Sequence, residues 1–284
     1  MPGASLFSLL HSYIYARYTY PYIRIGSGEG RLGRLYTYLV ERLSPHLGWL
    51  FPAHPGDPGR GFADTYHGKV LLPQMARQLV SVREEISITF PEQVIPYSQA
   101  RDLVLRQPAH ITVLDCPCRV ARQNPCLPLD VCLIVGEPFA SLVIEHHPRR
   151  SRRITSDEAL EILAAEHARG HVHHAFFKDA MLGRFYAICN CCSCCCGAMQ
   201  AFRNGVPMLA SSGYLSQVDA ELCTGCGLCA SACPFSAITL LDKRAVIDPS
   251  RCMGCGVCVS RCRRGALALV LDPQKSLPLE LPPS

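Results

Sequence analysis

Apolar residues recur at helical spacing near the N-terminus, at Leu6, Leu9, Leu10 and Tyr13, and predict a first helix. Tyr13, Tyr15, Tyr18, Tyr20 and Tyr22 crowd into the next turns, and packing in a core or against a partner accounts for them. Tyr22 to Ile25 reads as a strand and Leu35 to Leu43 as a helix, with Gly28-x-Gly30-x-x-Gly33 between them. That triplet has the form of a dinucleotide fingerprint. Residues 44–61, which follow, are too rich in Pro and Gly to supply the second strand of a βαβ unit, so we read an ordinary glycine loop.

From Glu85 the pattern becomes regular. Ile86, Ile88 and Phe90 alternate with polar residues as in a half-buried strand, residues 98–106 read as a short helix, and His110 to Leu114 as a strand. Thr155 and Glu158 form a capping box for a helix that sets Leu160, Leu163, Ala164 and His167 on one face and stops at Gly170. Phe185 to Ile188 then reads as a strand.

Cysteine changes the picture. Cys223-x-x-Cys226-x-x-Cys229-x-x-x-Cys233-Pro234 is repeated 29 residues later as Cys252-x-x-Cys255-x-x-Cys258-x-x-x-Cys262-Arg263. The repeat extends to Asp219 and Asp248, to Gly225, Gly227, Gly254 and Gly256, and to the apolar runs at 237–240 and 266–269, which predicts a pseudo-two-fold domain. Three cysteines at i, i+3 and i+6 place three thiolates around one tight loop, suited to three corners of a 4Fe-4S cube. In this spacing the trailing cysteine serves the other cube: Cys262 completes Cys223, Cys226 and Cys229, and Cys233 completes Cys252, Cys255 and Cys258. Structural zinc favours separated C-x2-C pairs instead. Residues 214–271 resemble a bacterial-type ferredoxin domain with two 4Fe-4S clusters. One departure stands out, since Arg263 and Arg264 follow Cys262 where Pro234 follows Cys233. An added amide donor and positive charge favour the reduced cube, so the cluster of Cys223 has the higher expected potential.

Two further cysteine groups precede the repeat. One is Asp115-Cys116-Pro-Cys118-Arg119 with Cys126 and Cys132; the other is Cys189-Asn-Cys191-Cys192-Ser-Cys194-Cys195-Cys196. Alternation along an extended chain turns Cys189 and Cys191 one way and Cys192, Cys194 and Cys196 another. Packed thiolates repel and oxidise unless a cation holds them. With Gly170-His-Val-His173, these motifs make residues 83–271 similar to a group of prokaryotic iron-sulfur proteins that place a cysteine-rich mixed domain before a ferredoxin domain. The resemblance implies cofactor and architecture rather than a reaction, and does not extend over residues 1–80.

Eighteen cysteines and no recognisable secretion signal point to metal-held thiolates in a cytoplasmic protein, and no run approaches the ~20 apolar residues of a membrane span. The formal charge of +5 falls to roughly +1 once two cubes at about −2 each are counted. Ten cysteines remain, eighteen less the eight of the repeat. One reading gives a third cluster, or a structural zinc, to Cys116, Cys118, Cys126 and Cys132, and a fourth or larger cluster to the 189–196 run; another combines both groups around one site. His173 reads as a hydrogen-bonded structural histidine, with a ligand role as the alternative. Arg149, Arg150, Arg152 and Arg153 read as a solvated basic loop, with docking of an acidic redox partner as the functional alternative; nucleic acid is disfavoured for want of interleaved aromatics.

The expected fold is α+β: an N-terminal region, 1–82, partly helical; a cysteine-rich mixed α/β domain, 83–210; a βαβ-type ferredoxin domain, 211–271; and a disordered tail, 272–284. The expected function is electron transfer to a partner oxidoreductase, with a reductase built on the 189–196 run, or a cluster-based redox sensor, as the alternatives.

Overall fold

The computed structural model describes residues 6–47, 65–97 and 101–281, and side chains within 6–47 from residue 10 onward, save 37, 40, 41 and 43–47. The glycine- and proline-rich part of 44–61 lies mostly outside the described residues. Three helices open the chain: α1 (Leu6–Arg17), α2 (Thr19–Gly26) and α3 (Gly30–Leu47). Tyr22 to Ile25 is therefore helical and not a strand, since Pro21 sits in the first turn of α2, where its missing N–H costs nothing. The glycine triplet joins two helices, the wrong context for a dinucleotide fingerprint.

An eight-stranded sheet forms the body. Its strands are β1 (Tyr66–Leu71), β2 (Ile86–Thr89), β3 (Asp102–Asp115), β4 (Asp130–Glu137), β5 (Ser151–Ile154), β6 (Val172–Lys178), β7 (Arg184–Cys191) and β8 (Leu209–Ala210). The order is β2-β3-β4-β7-β6-β1-β8, with β5 also pairing β3. The anticipated helix at 98–106 is a strand from Asp102 onward, because Leu103 and Leu105 are buried at a period of two and pair with Ile88 and Ile86. Residues 98–100 are outside the described set. The boundary expected at 82 cuts through the body: β1 pairs with β6 along its whole length, and α4 (Pro73–Ser81) buries Met75, Ala76, Leu79 and Val80.

Further helices pack on this sheet: α5 (Pro117–Val120), α6 (Phe139–His146), α7 (Ser156–Ala168) and α8 (Gly197–Arg203). Thr155 caps α7 by accepting from the Glu158 N–H at 3.2 Å. The Glu158 carboxylate turns instead to Arg152, at 2.5 Å, so half of the capping box forms. The buried face of α7 is Ala159, Leu163 and Glu166, rotated from the purely apolar stripe.

The C-terminal unit repeats strand-helix-strand twice: β9 (Tyr214–Val218), α9 (Leu228–Ala232) and β10 (Ile238–Leu241), then β11 (Arg244–Ile247), α10 (Val257–Arg261) and β12 (Leu267–Leu271). β9 pairs β12, and β10 pairs β11, both antiparallel. The halves interlock symmetrically. Asp219 N–H donates to Ala266 O and Asp248 N–H to Ala237 O, each at 2.8 Å. Beyond it the chain is not free, contrary to the expected disordered tail. Lys69 Nζ donates to Leu277 O at 2.6 Å, Val94 O at 2.9 Å and Ser276 Oγ at 3.0 Å, and Leu279 is buried. A buried ammonium needs acceptors, and the tail supplies two of the three.

Candidate metal centres

The C-terminal unit gathers its eight thiols into two sets. Cys223, Cys226, Cys229 and Cys262 line one cavity of about 240 Å³, together with Arg263 and Arg264. Cys233, Cys252, Cys255 and Cys258 line a second, of about 20 Å³. Gly225 and Gly254 let each loop close. Both have positive φ, and a Cβ would stand 1.9 Å from Lys243 O at the first and 2.2 Å from Tyr214 O at the second. Backbone amides turn toward sulfur in both halves: Ala237 N–H donates to Cys233 Sγ at 3.3 Å and Ala266 N–H to Cys262 Sγ at 3.2 Å. Four thiols around a gap, with amides aimed at them, fit a 4Fe-4S cube at either position. The sets differ in exposure. Cys226 is exposed, whereas Cys252, Cys255 and Cys258 are buried.

The other ten cysteines do not divide along the chain. Cys126 leaves the first motif to join Cys192, Cys194 and Cys195, and the four sulfurs all lie within 4.8 Å of one another. Cys116, Cys118 and Cys132 remain with Cys189, Cys191 and Cys196. The grouping of Cys116, Cys118, Cys126 and Cys132 is thus not what the fold makes, because the loop between α5 and β4 carries Cys126 out to the turn that follows β7. Alternation held only to the end of that strand. Cys189 and Cys191 share a face of β7, but the chain turns after Cys191 and brings Cys196 back to it.

The six thiols form a continuous line beneath the N-terminal helices. Cys132 and Cys189 are register partners on β4 and β7. Cys116 hydrogen-bonds Cys118 and Cys132, Cys118 also meets Cys196, and Cys196 donates to Cys191 at 3.1 Å. All six line one cavity of about 50 Å³ with Tyr15, Tyr66 and Tyr186. The Cys196 hydrogen bond, with His174 adding to it, outweighs burial and draws Cys191 down to about 6. Hydrogen bonding within the line likewise holds Cys118 well below the ordinary thiol range. Two of the six are thus poised as thiolates, the form that binds iron.

Charged and polar groups behind this line escaped sequence reading. Arg119 is wholly buried and donates to Glu166 Oε2 at 2.6 Å, to Asn190 O at 3.1 Å and to Pro128 O. Asn190, between two of the six cysteines, donates to Val131 O at 2.7 Å and accepts from His173 Nδ1 at 2.6 Å. His173 thus has one ring nitrogen in a structural hydrogen bond; its Nε2 has no hydrogen-bond partner among the described residues, and burial pushes its pKa down to about 4. The signal for Arg119 was present only as its place in the Cys-Pro-Cys-Arg motif. The basic loop is mostly committed: Arg150 lies 3.8 Å from Asp115, Arg152 binds Glu158 and Asp130, and Arg153 lies 3.3 Å from Glu137.

Thiol sets of these kinds define an iron-sulfur protein. Residues 216–263 match the 4Fe-4S dicluster domain family, the stretch that holds all eight cysteines of the repeat. No curated protein matches the chain. No helix among the described residues is long and apolar enough to cross a membrane.

Proposed function

We propose that the chain is an electron-transfer protein. Cys223, Cys226, Cys229 and Cys262 would hold one 4Fe-4S cluster, Cys252, Cys255, Cys258 and Cys233 a second, and the six-thiol line a further polynuclear cluster. A partner oxidoreductase would be donor or acceptor. Bound clusters supply reversible one-electron steps. The observation that carries the reading is the step in burial between the sets, from the first, where Cys226 is exposed, to the mostly buried thiols of the second set and of the six-thiol line. Packing links the sets, with Phe235 beside the second one edge-on to Phe202 of α8 at 6.0 Å. Such an order suits an outlet at the surface and a reservoir within.

Anaerobic iron and sulfide analysis with potentiometric EPR tests this. We expect clearly more than about eight irons per chain and one-electron steps that no small molecule perturbs. About eight irons would leave the six-thiol line without a cluster and would overturn that part.

A second reading has its own observation. A cavity of about 850 Å³ lies between the N-terminal helices and the sheet, with Lys178, Tyr22, Tyr66 and Cys118 in its wall. Cys118 thus faces both the six-thiol line and a chamber large enough for a small substrate, the arrangement a reductase needs. Compounds that alter the EPR signal of the inner cluster would favour this enzyme over the carrier.

A further inference from the structure

The four thiols of Cys126, Cys192, Cys194 and Cys195 are packed differently from every other cysteine set in the chain. Their sulfurs lie within 4.8 Å of one another, with Cys126 and Cys194 at 2.9 Å and Cys194 and Cys195 at 3.7 Å. A single tetrahedral ion with metal–sulfur bonds of about 2.3 Å sets its ligands about 3.8 Å apart. A 4Fe-4S cube bonds each thiolate to a separate corner, so the sulfurs stand roughly 6 Å apart. Among the described residues no other three His, Cys, Asp or Glu bring their ligand atoms within 4.8 Å of one another, the eight thiols of the repeat included.

Local structure agrees. Cys192 and Cys195 stand at i and i+3 in the turn after β7, and the Cys195 N–H donates to Cys192 Sγ at 3.3 Å. The Cys126 N–H donates to Cys195 Sγ at 3.4 Å. This is the C-x2-C turn of structural zinc sites, closed by cysteines from elsewhere in the chain. The loop around it is held by its carbonyls. Arg122 donates to Cys195 O at 3.3 Å, Gln200 Nε2 to Cys194 O at 2.7 Å, and Arg203 to Ser193 O at 2.5 Å. Arg122 and Arg203 also place positive charge beside what would be a doubly negative tetrathiolate, the outer support such sites need.

We propose that Cys126, Cys192, Cys194 and Cys195 bind a single zinc ion, separate from the iron-sulfur sites. The ion is structural. All four positions are filled by thiolate, leaving none for water or substrate. It pins the 192–195 turn to the loop after α5. The proposal is independent of the electron-transfer reading, because its readout is zinc and not iron.

Metal analysis of the holoprotein, prepared anaerobically, tests it. We expect about one zinc per chain, and X-ray absorption at the zinc edge should show four sulfur ligands at about 2.3 Å. In the Cys194→Ser variant, whose altered ligand lies at the solvent edge, zinc should fall at least tenfold after dialysis against a chelator, with iron unchanged. Cys226→Ser should do the reverse, lowering iron and sparing zinc. A loss of iron in Cys194→Ser, or a single tetrahedral iron in place of zinc, overturns the proposal. Should Cys194→Ser fail to fold, the wild-type spectrum decides: oxygen or nitrogen among the zinc ligands also overturns it.

Discussion

The Arg119 guanidinium and the Glu166 carboxylate meet at 2.6 Å with both side chains 1% exposed, in the layer between α7 and the six-thiol line. Burial raises the carboxylate's pKa, yet the hydrogen bonds from His171 and Arg119 outweigh it and hold Glu166 below the usual range. Removing Arg119 leaves the Glu166 carboxylate to His171 and Arg169. Arg119→Met should therefore cost about 2–3 kcal/mol and lower Tm by roughly 5–8 °C. Because Arg119 also holds Asn190 O between Cys189 and Cys191, the variant should lose iron from the inner site before the ferredoxin-like sites. Calorimetry with iron analysis checks both, and an unchanged Tm would refute the first.

Regular patterns were legible where burial followed them. The strand at Ile86, the cap at Thr155 and the doubled cysteine loop all come from local periodicity and fixed spacing. Asp102 to Arg106 was misread because its partner is β2, whose pairing no local pattern announces. Glu166 was placed off the buried stripe because a buried carboxylate is recognised only through the guanidinium 47 residues away. The thiol sets failed for the same reason. Sequence neighbours among the ten cysteines are assigned to different sites by a turn after β7 and a loop before β4.

His173 makes stability depend on pH. Its folded pKa, about 4, lies below the ordinary value of 6.5, because burial disfavours the charged ring. Between those values the unfolded chain binds the extra proton, so stability rises with pH across the window and is lost as pH falls from 6.5 toward 4. The full contribution is about 3 kcal/mol. His173→Gln keeps a donor for Asn190 without the titration. Its unfolding free energy should be flatter than the wild type's between pH 6.5 and 4. Parallel curves would show that another group controls acid stability.

Lys69 anchors the C-terminal segment. Two of its three acceptors, Leu277 O and Ser276 Oγ, belong to residues beyond Asp272, and burial lowers the ammonium's pKa to about 7. Lys69→Met should release residues 272–281 while leaving the ferredoxin-like sites filled. Limited proteolysis checks this: rapid cleavage near Lys275 in the variant and protection in the wild type are expected, and equal rates would show that Leu279 packing holds the segment alone. Because burial sets the folded pKa below the ordinary 10.5, the released chain binds the extra proton between about 7 and 10.5, so the wild type's anchoring should tighten as pH rises through that window.

Arg263 and Arg264 line the cavity of Cys223, Cys226, Cys229 and Cys262, whereas Pro234 lines that of the buried set. Reduction adds negative charge to a cube, so a nearby cation and an extra amide donor favour the reduced form. Exposure acts in the same direction, because water stabilises the more charged state. The exposed set should therefore have the higher potential of the two. Arg263→Pro removes both the cation and the amide and should lower that potential by tens of millivolts, with the buried set unmoved. Arg264→Gln removes charge alone and separates the two causes. A potentiometric EPR titration reads all three proteins. If the wild type and Arg263→Pro share both midpoints, the arginines are solvated surface groups and exposure alone orders the sites.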